Sequence, residues 1–92
     1  MFEIPPEMLK VYLARRTEDL TTLKLSLKNN SITGFHEVGH QLTGNARNYG
    51  FSILEPLADR MERLSAKDLP SHGPLLLAEY AKWLREQLAK GA

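Results

Sequence analysis

The residues best suited to chemistry are two histidines one helical turn apart, His36 and His40, in the stretch FHEVGHQLTGNARNYGF (35–51). Each residue of an α-helix advances about 100° around the helix axis, which puts His40 about 140° away from Phe35. The apolar residues of the stretch share the face of Phe35, namely Val38, Gly39, Leu42, Ala46 and Tyr49. The pattern predicts a helix that buries this face and presents the histidines to solvent.

His40 has the features of an exposed nucleophile. An imidazole is largely neutral at neutral pH and can attack an electrophile without a separate base. Gly44 lies one turn later on the exposed side, where a glycine costs up to about 1 kcal/mol relative to alanine. We interpret Gly44 as open space for a large partner beside His40. Gly39 is on the apolar face and predicts a close approach by another helix, whereas His36 is more typical of a surface residue at the edge of the site.

Composition excludes several classes of protein. The chain has 92 residues, which predicts a single domain over residues 1–92. Twelve basic and eleven acidic residues give a net charge of +1 without a basic stripe, so a nucleic-acid partner is disfavoured. The absence of cysteine excludes thiol chemistry and disulfides. No apolar run reaches the roughly 18 residues of a membrane helix, so a cytoplasmic protein with no membrane partner is expected.

Apolar residues at helical spacing divide the chain into four segments. The first follows Pro5 and Pro6, ends at 29–31, and predicts either one continuous helix or a break near Arg16-Thr17. The second runs from about Ile32 to Tyr49, and Gly50 suits the left-handed residue after a helix.

The remaining two segments complete the predicted bundle. The third opens with Ser52-Ile53-Leu54-Glu55, a capping-box pattern. A loop is predicted from Ser65 to Gly73, and the fourth helix is predicted to begin at Pro74. Four amphipathic helices with short connections predict an all-α, antiparallel up-and-down four-helix bundle.

The segment around His40 resembles the phosphoacceptor motif of the histidine phosphotransfer (HPt) domain family. That motif reads roughly H-x-[LM]-K-G-[SN]-[AG], followed by [YFL]-G. Its positions are matched here by His40, Leu42, Gly44, Asn45, Ala46, Tyr49 and Gly50. The stretch YLARRTEDL (12–20) resembles the first long helix of these domains, and Leu54 to Leu57 fits the helix that follows the motif.

One position departs from the family pattern. The family usually has lysine three residues after the histidine, whereas this chain has Thr43, which brings a hydroxyl and no charge. Arg47 is a candidate substitute, because long helical side chains lean toward the helix N-terminus and hence toward His40. We expect this departure to affect the rate or the equilibrium of phosphoryl transfer more than the function itself.

The resemblance implies a phosphocarrier of a two-component phosphorelay. His40 would accept and donate a phosphoryl group in exchange with the aspartate of a receiver domain, which would supply the Mg²⁺. The implied partners are a receiver domain, a hybrid histidine kinase, or both, and no cofactor of its own is expected. The chain has no ATP-binding motif, so it would not be a kinase. The expected contact surface around His40 comprises His36, Glu37, Gln41, Thr43, Gly44 and Arg47, with Tyr12 or Met8 as further candidates.

Two other interpretations fit parts of the sequence. His36 to His40 reads HEVGH and matches the H-E-x-x-H pattern of zinc peptidases, in which two histidines bind Zn²⁺ and the glutamate is a general base. The same two histidines would also suit a bound metal without hydrolysis. Alternatively, the chain is a helical interaction module that binds a receiver or a kinase without phosphotransfer, and the uncharged Thr43 favours that alternative.

Overall fold

The computed structural model describes residues 4–91 and over that range forms four α-helices. These are α1 (Pro6–Lys28), α2 (Thr33–Asn45), α3 (Glu55–Arg63) and α4 (Leu69–Gly91). Two 3-10 turns, Arg47–Tyr49 and Ser52–Leu54, connect α2 to α3. Within this range no helix has the length and apolar character that crossing a bilayer requires. Residues 1–3 and 92 of the predicted domain lie outside the described residues.

Neighbouring helices run antiparallel around one core. Tyr12, near the start of α1, donates a hydrogen bond to Asn45 at the end of α2, and Ser26, near the end of α1, lies against Gly34 at the start of α2. Further contacts join α2 to α3, α3 to α4 and α4 back to α1. The predicted all-α, antiparallel four-helix bundle is therefore confirmed.

The first helix is continuous, so the break considered near Arg16-Thr17 does not occur. Arg16 lies on the buried face of α1 and is only 5 % exposed, because Asp19 one turn later provides a counter-charge. The Thr17 hydroxyl donates to the Leu13 carbonyl within the same helix and caps nothing. Arg16, although charged, is therefore part of the core and does not mark a helix boundary.

The second helix ends earlier than predicted, at Asn45, and the chain continues as 3-10 turns. Gly50 has φ 81°, as predicted for a left-handed residue, and the Phe51 amide donates back to the Ala46 carbonyl. The capping box predicted at Ser52 is wrong, since Ser52 begins a 3-10 turn and makes no side-chain cap. Glu55, its predicted partner, pairs instead with Arg47.

The fourth helix begins at Leu69 and not at Pro74, so most of the predicted loop is helical. Leu69 is 1 % exposed and anchors the first turn in the core. A Cβ added to Gly73 would lie 2.7 Å from Cδ2 of Leu27, so this glycine allows close packing of α4 on α1 and does not form a turn. Pro74 lies inside the helix and leaves the Pro70 carbonyl without its usual amide donor.

Candidate functional site

His40 lies in the middle of α2 and points into solvent, with its side chain 84 % exposed. The preceding residue, Gly39, is buried against α3. A Cβ at position 39 would lie 2.8 Å from the Ala58 carbonyl oxygen and 2.9 Å from the Met61 Cβ. The prediction that Gly39 permits a close helix approach is confirmed, and this approach brings α3 alongside His40.

Glu62 of α3 lies beside the imidazole of His40. Its Oε2 lies 3.6 Å from Nδ1 of His40, and its side chain is 35 % exposed. Glu62 could not be identified from the sequence, because helical periodicity shows which face of each helix is buried but not which residues of two helices meet. The only signal was Gly39, which predicted that some helix passes close to this point of α2.

Thr43 lies beside the same carboxylate. Its hydroxyl is 2.9 Å from the Gly39 carbonyl oxygen and also within hydrogen-bond distance of Oε1 of Glu62. Because a hydroxyl carries a single hydrogen, it can donate to only one of these oxygens at a time. The position where the family pattern has a lysine therefore contacts an acidic side chain and adds no positive charge to the site.

The surface beside His40 is open at Gly44. A Cβ added there would have no heavy atom within 4 Å, whereas the same addition at Gly39 would clash. Packing within the bundle therefore does not explain Gly44. This agrees with the interpretation of Gly44 as space for a partner, although that role stays a prediction.

His36 is partly buried and fixed at the end of α3. Its Nε2 lies 2.7 Å from the Leu64 carbonyl oxygen, which requires the hydrogen to be on Nε2. This nitrogen is therefore not free to bind a metal. Among residues 4–91, no group of three or more His, Asp or Glu side chains could hold a metal ion. The geometry gives the HEVGH zinc interpretation no support.

Glu37 and Gln41 lie on the other side of α2, facing α1. They line a polar cleft of about 230 Å³ together with Arg15 and Glu18 of α1. His36 and Thr43, by contrast, contact α3 or its end. The predicted contact residues thus flank His40 on both sides and form a surface that extends from α3 to α1.

Arg47 lies beyond the end of α2, in the first 3-10 turn. Its Nη2 donates to Oε2 of Glu55 at 2.7 Å, and its side chain is 77 % exposed. The idea that Arg47 extends along the helix toward His40 assumed a helix as far as Tyr49, and the helix stops at Asn45. The structure places this guanidinium beside Glu55, while its predicted contact with a partner stays a prediction.

The C-terminal end of α2 is held against α1 by aromatic residues. The Tyr12 hydroxyl donates to Oδ1 of Asn45 at 2.8 Å, and its ring stacks on Tyr49 with centroids 4.1 Å apart. Tyr12 is only 4 % exposed, so it offers little surface to a partner, whereas Met8 is 48 % exposed and Val11 59 %. At this end of α1 the exposed apolar side chains are therefore Met8 and Val11.

A buried polar network joins α1 to α4. Nε of Arg16 lies 2.8 Å from Oδ2 of Asp19, an ion pair without hydrogen-bond geometry, and the Tyr80 hydroxyl donates to the same carboxylate oxygen at 2.8 Å. Burial raises the pKa of Asp19, against the opposing effects of Tyr80 and Arg16. Burial and the Asp19 carboxylate raise the pKa of the Tyr80 hydroxyl. Burial acts to lower the pKa of Arg16, but Asp19 and Tyr12 more than offset it, so the net shift is upward.

Comparison with protein families identifies one match. The family model of the Hpt domain matches residues 7–90, a range that includes His40, Glu62 and nearly all of the four helices. Comparisons with curated proteins and with solved structures give no significant match. The resemblance drawn from the residues around His40 is thereby confirmed over most of the chain.

Proposed function

Because the chain belongs to the Hpt domain family of histidine phosphotransfer in two-component signalling, we propose that it is a phosphocarrier acting through His40. In this proposal His40 exchanges a phosphoryl group with the aspartate of a cytoplasmic receiver domain. The observation that carries the proposal is the 84 % exposure of the His40 side chain on a helix that packs closely against α3 at Gly39 and has open space at Gly44. These features leave the ring accessible to a large partner.

The proposed reaction needs little from this chain besides a positioned nucleophile. The lone pair on one imidazole nitrogen attacks phosphorus, an N–P bond forms, and the P–O bond to aspartate breaks with its electron pair returning to the carboxylate. Phosphoryl transfer depends mainly on positioning and on neutralising charge. We propose that the receiver supplies the Mg²⁺ and most of that charge, while the bundle supplies a rigid histidine.

We propose that the receiver docks on the surface around His40. This surface comprises His36, Glu37, Gln41, Thr43, Gly44 and Arg47, and the exposed side chains of Met8 and Val11 extend it onto α1. Gly44→Leu should slow transfer severalfold without unfolding the protein, since a side chain there meets the partner and nothing in the bundle. Ala78→Leu, at an exposed position of α4, is the control and should leave transfer unchanged. Equal rates for the two variants would contradict docking at Gly44.

The test of the proposed function is transfer from phosphorylated receiver domains to the wild type, His40→Gln and His72→Gln. His72 is an exposed histidine on α4 and serves as the matched control. We expect acid-labile, alkali-stable label on the wild type and on His72→Gln, and none on His40→Gln. Label that survives in His40→Gln would contradict the assignment.

A binding module without phosphotransfer is the second candidate. The observation that favours it is the absence of a positive charge at Thr43 combined with the Glu62 carboxylate beside His40, since both disfavour an incoming phosphoryl group. This candidate predicts that a receiver binds the wild type and His40→Gln with equal affinity while the wild type takes up no label.

A further inference from the structure

A groove separates α3 from α4 along one side of the bundle. It has a volume of about 380 Å³ and an apolar floor that includes the buried side chains of Leu57 and Trp83. Ile53 lies at its edge, in the second 3-10 turn, and is 74 % exposed although it is apolar. We propose that this groove is the interface of a two-fold symmetric dimer, in which Ile53 of each copy enters the groove of the other.

The groove lies on the other side of α3 from His40. Arg60 lines the groove, whereas Glu62 lies beside the imidazole of His40. Two positions along an α-helix are about 200° apart around the helix axis. A second copy seated in the groove therefore leaves His40 exposed, and the groove is separate from the surface proposed for the receiver.

The shape of this region suits a second copy of the chain. A two-fold contact uses the same surface of both copies, so that surface must contain both a projection and the depression that receives it. Ile53 is the projection, and the groove beside it is as large as a small ligand pocket, with room for an isoleucine side chain. The dimer would remove both exposed isoleucines from water, which favours association.

The charges around the groove also favour a second copy over other partners. Two basic and two acidic side chains surround it, namely Arg60, Lys82, Glu79 and Glu86. Their charges cancel, so a strongly acidic or strongly basic partner gains no net attraction. Arg60 pairs with Glu79 at 2.7 Å, whereas Lys82 and Glu86 have no ion pair within residues 4–91. The latter two lie one turn apart on α4, so an antiparallel two-fold contact puts Lys82 of one copy opposite Glu86 of the other.

The size of this face is sufficient for a weak dimer. The bundle measures 40 × 21 × 16 Å. One lateral face therefore covers roughly 600–800 Å², and each partner of a standard interface contributes about 800 Å². Because the contact is limited to the face of α3 and α4, we expect a dimer that forms and dissociates with protein concentration.

Sedimentation equilibrium of the wild type should show this dimer between about 10 µM and about 1 mM, where small interfaces associate. Ile53→Glu should weaken it at least about tenfold, because a carboxylate would enter an apolar groove without a partner. Leu25→Glu is the matched control, at a leucine that is 50 % exposed between α1 and α2, and should dimerise like the wild type. A wild type that stays monomeric, or an Ile53→Glu variant that dimerises as tightly as the wild type, would overturn the proposal.

Exchanging the charges on α4 tests the two-fold arrangement itself. Lys82→Glu puts acidic side chains opposite each other and Glu86→Lys puts basic ones there, so each variant alone should dimerise roughly three- to tenfold more weakly. A mixture of the two variants should form a heterodimer at least as tight as the wild-type dimer, because every such contact then joins opposite charges. A mixture that associates no better than either variant alone would overturn the antiparallel contact of α4.

Discussion

The two pairs of helices in this bundle use polar residues in opposite ways. Between α1 and α4, the polar groups of Arg16, Asp19 and Tyr80 are buried and contact one another. Along α2 and α3, His40 and Glu62 form a looser pair at the surface. Polar groups in the first region hold the helices in register, whereas those in the second remain available to a partner. Residue type alone therefore does not distinguish the polar residues that pack inside the bundle from those that a partner could reach, whereas burial does.

The largest expected difference in stability is between variants of two glycines of α2. Gly39 is buried directly before His40, and Gly44 is exposed one turn after it. Gly39→Ala should lower the free energy of unfolding by about 1–3 kcal/mol, because its Cβ meets the Ala58 carbonyl and the helices must move apart. Gly44→Ala, one turn along the same helix but in open space, should raise it by up to about 1 kcal/mol. Urea unfolding of both variants measures the contrast, and equal changes would contradict it.

The buried network should contribute to stability and not to transfer. Tyr80→Phe removes one donor to the Asp19 carboxylate, which should cost about 1–3 kcal/mol because the carboxylate is buried. Transfer to His40 in the folded variant should match the wild type. A folded Tyr80→Phe protein that has lost transfer would show that the two regions are coupled.

The network should also give stability a particular pH dependence. The pKa of Asp19 is raised above 3.8 in the folded protein, so folding favours its protonated form. The resulting stability is fully present below pH 3.8 and is lost as the pH rises through the folded-state pKa. The free energy of unfolding of the wild type minus that of Asp19→Asn should therefore fall over this range, by at most about 1.4 kcal/mol per pH unit. A difference that rises with pH would reverse the assigned direction of the shift.

The smallest expected effect on stability is at the open site. Thr43→Lys places a positive charge beside His40 and should increase the phosphohistidine fraction a few-fold through attraction to the phosphoryl group. Because position 43 is exposed, the free energy of unfolding should change by less than about 0.5 kcal/mol. Exchange kinetics with a phosphorylated receiver, alongside urea unfolding, test both expectations, and a lower phosphohistidine fraction would contradict the first.

Local patterns predicted the bundle and the exposure of His40 correctly. Apolar spacing identified the helices, and a glycine on each side of α2 distinguished the packed face from the open one. The boundaries of the helices were less predictable, because tertiary packing can override the local conformational preference of the residues. Leu69 and Gly73 extend α4 through a segment whose proline, serine and glycine are typical of a loop, and Asp19 keeps Arg16 inside a continuous helix.

Contacts between helices were not predictable from the sequence. Glu62 is 22 positions after His40 (62 − 40), and the helical period gives no register between α2 and α3. The same limit applies to Tyr80 with Asp19 and to Tyr12 with Asn45. Arg47 was expected to approach His40 only because α2 was expected to continue, and the 3-10 turn places it beside Glu55.

The most direct test of the central claim locates the phosphoryl group itself. Protein labelled with ¹⁵N in its histidine rings would be phosphorylated by a receiver domain and examined for one-bond coupling between phosphorus and nitrogen. The account predicts coupling to a ring nitrogen of His40 and to no nitrogen of His36 or His72. Coupling at another histidine, or stable binding of the receiver without any coupling, would contradict it.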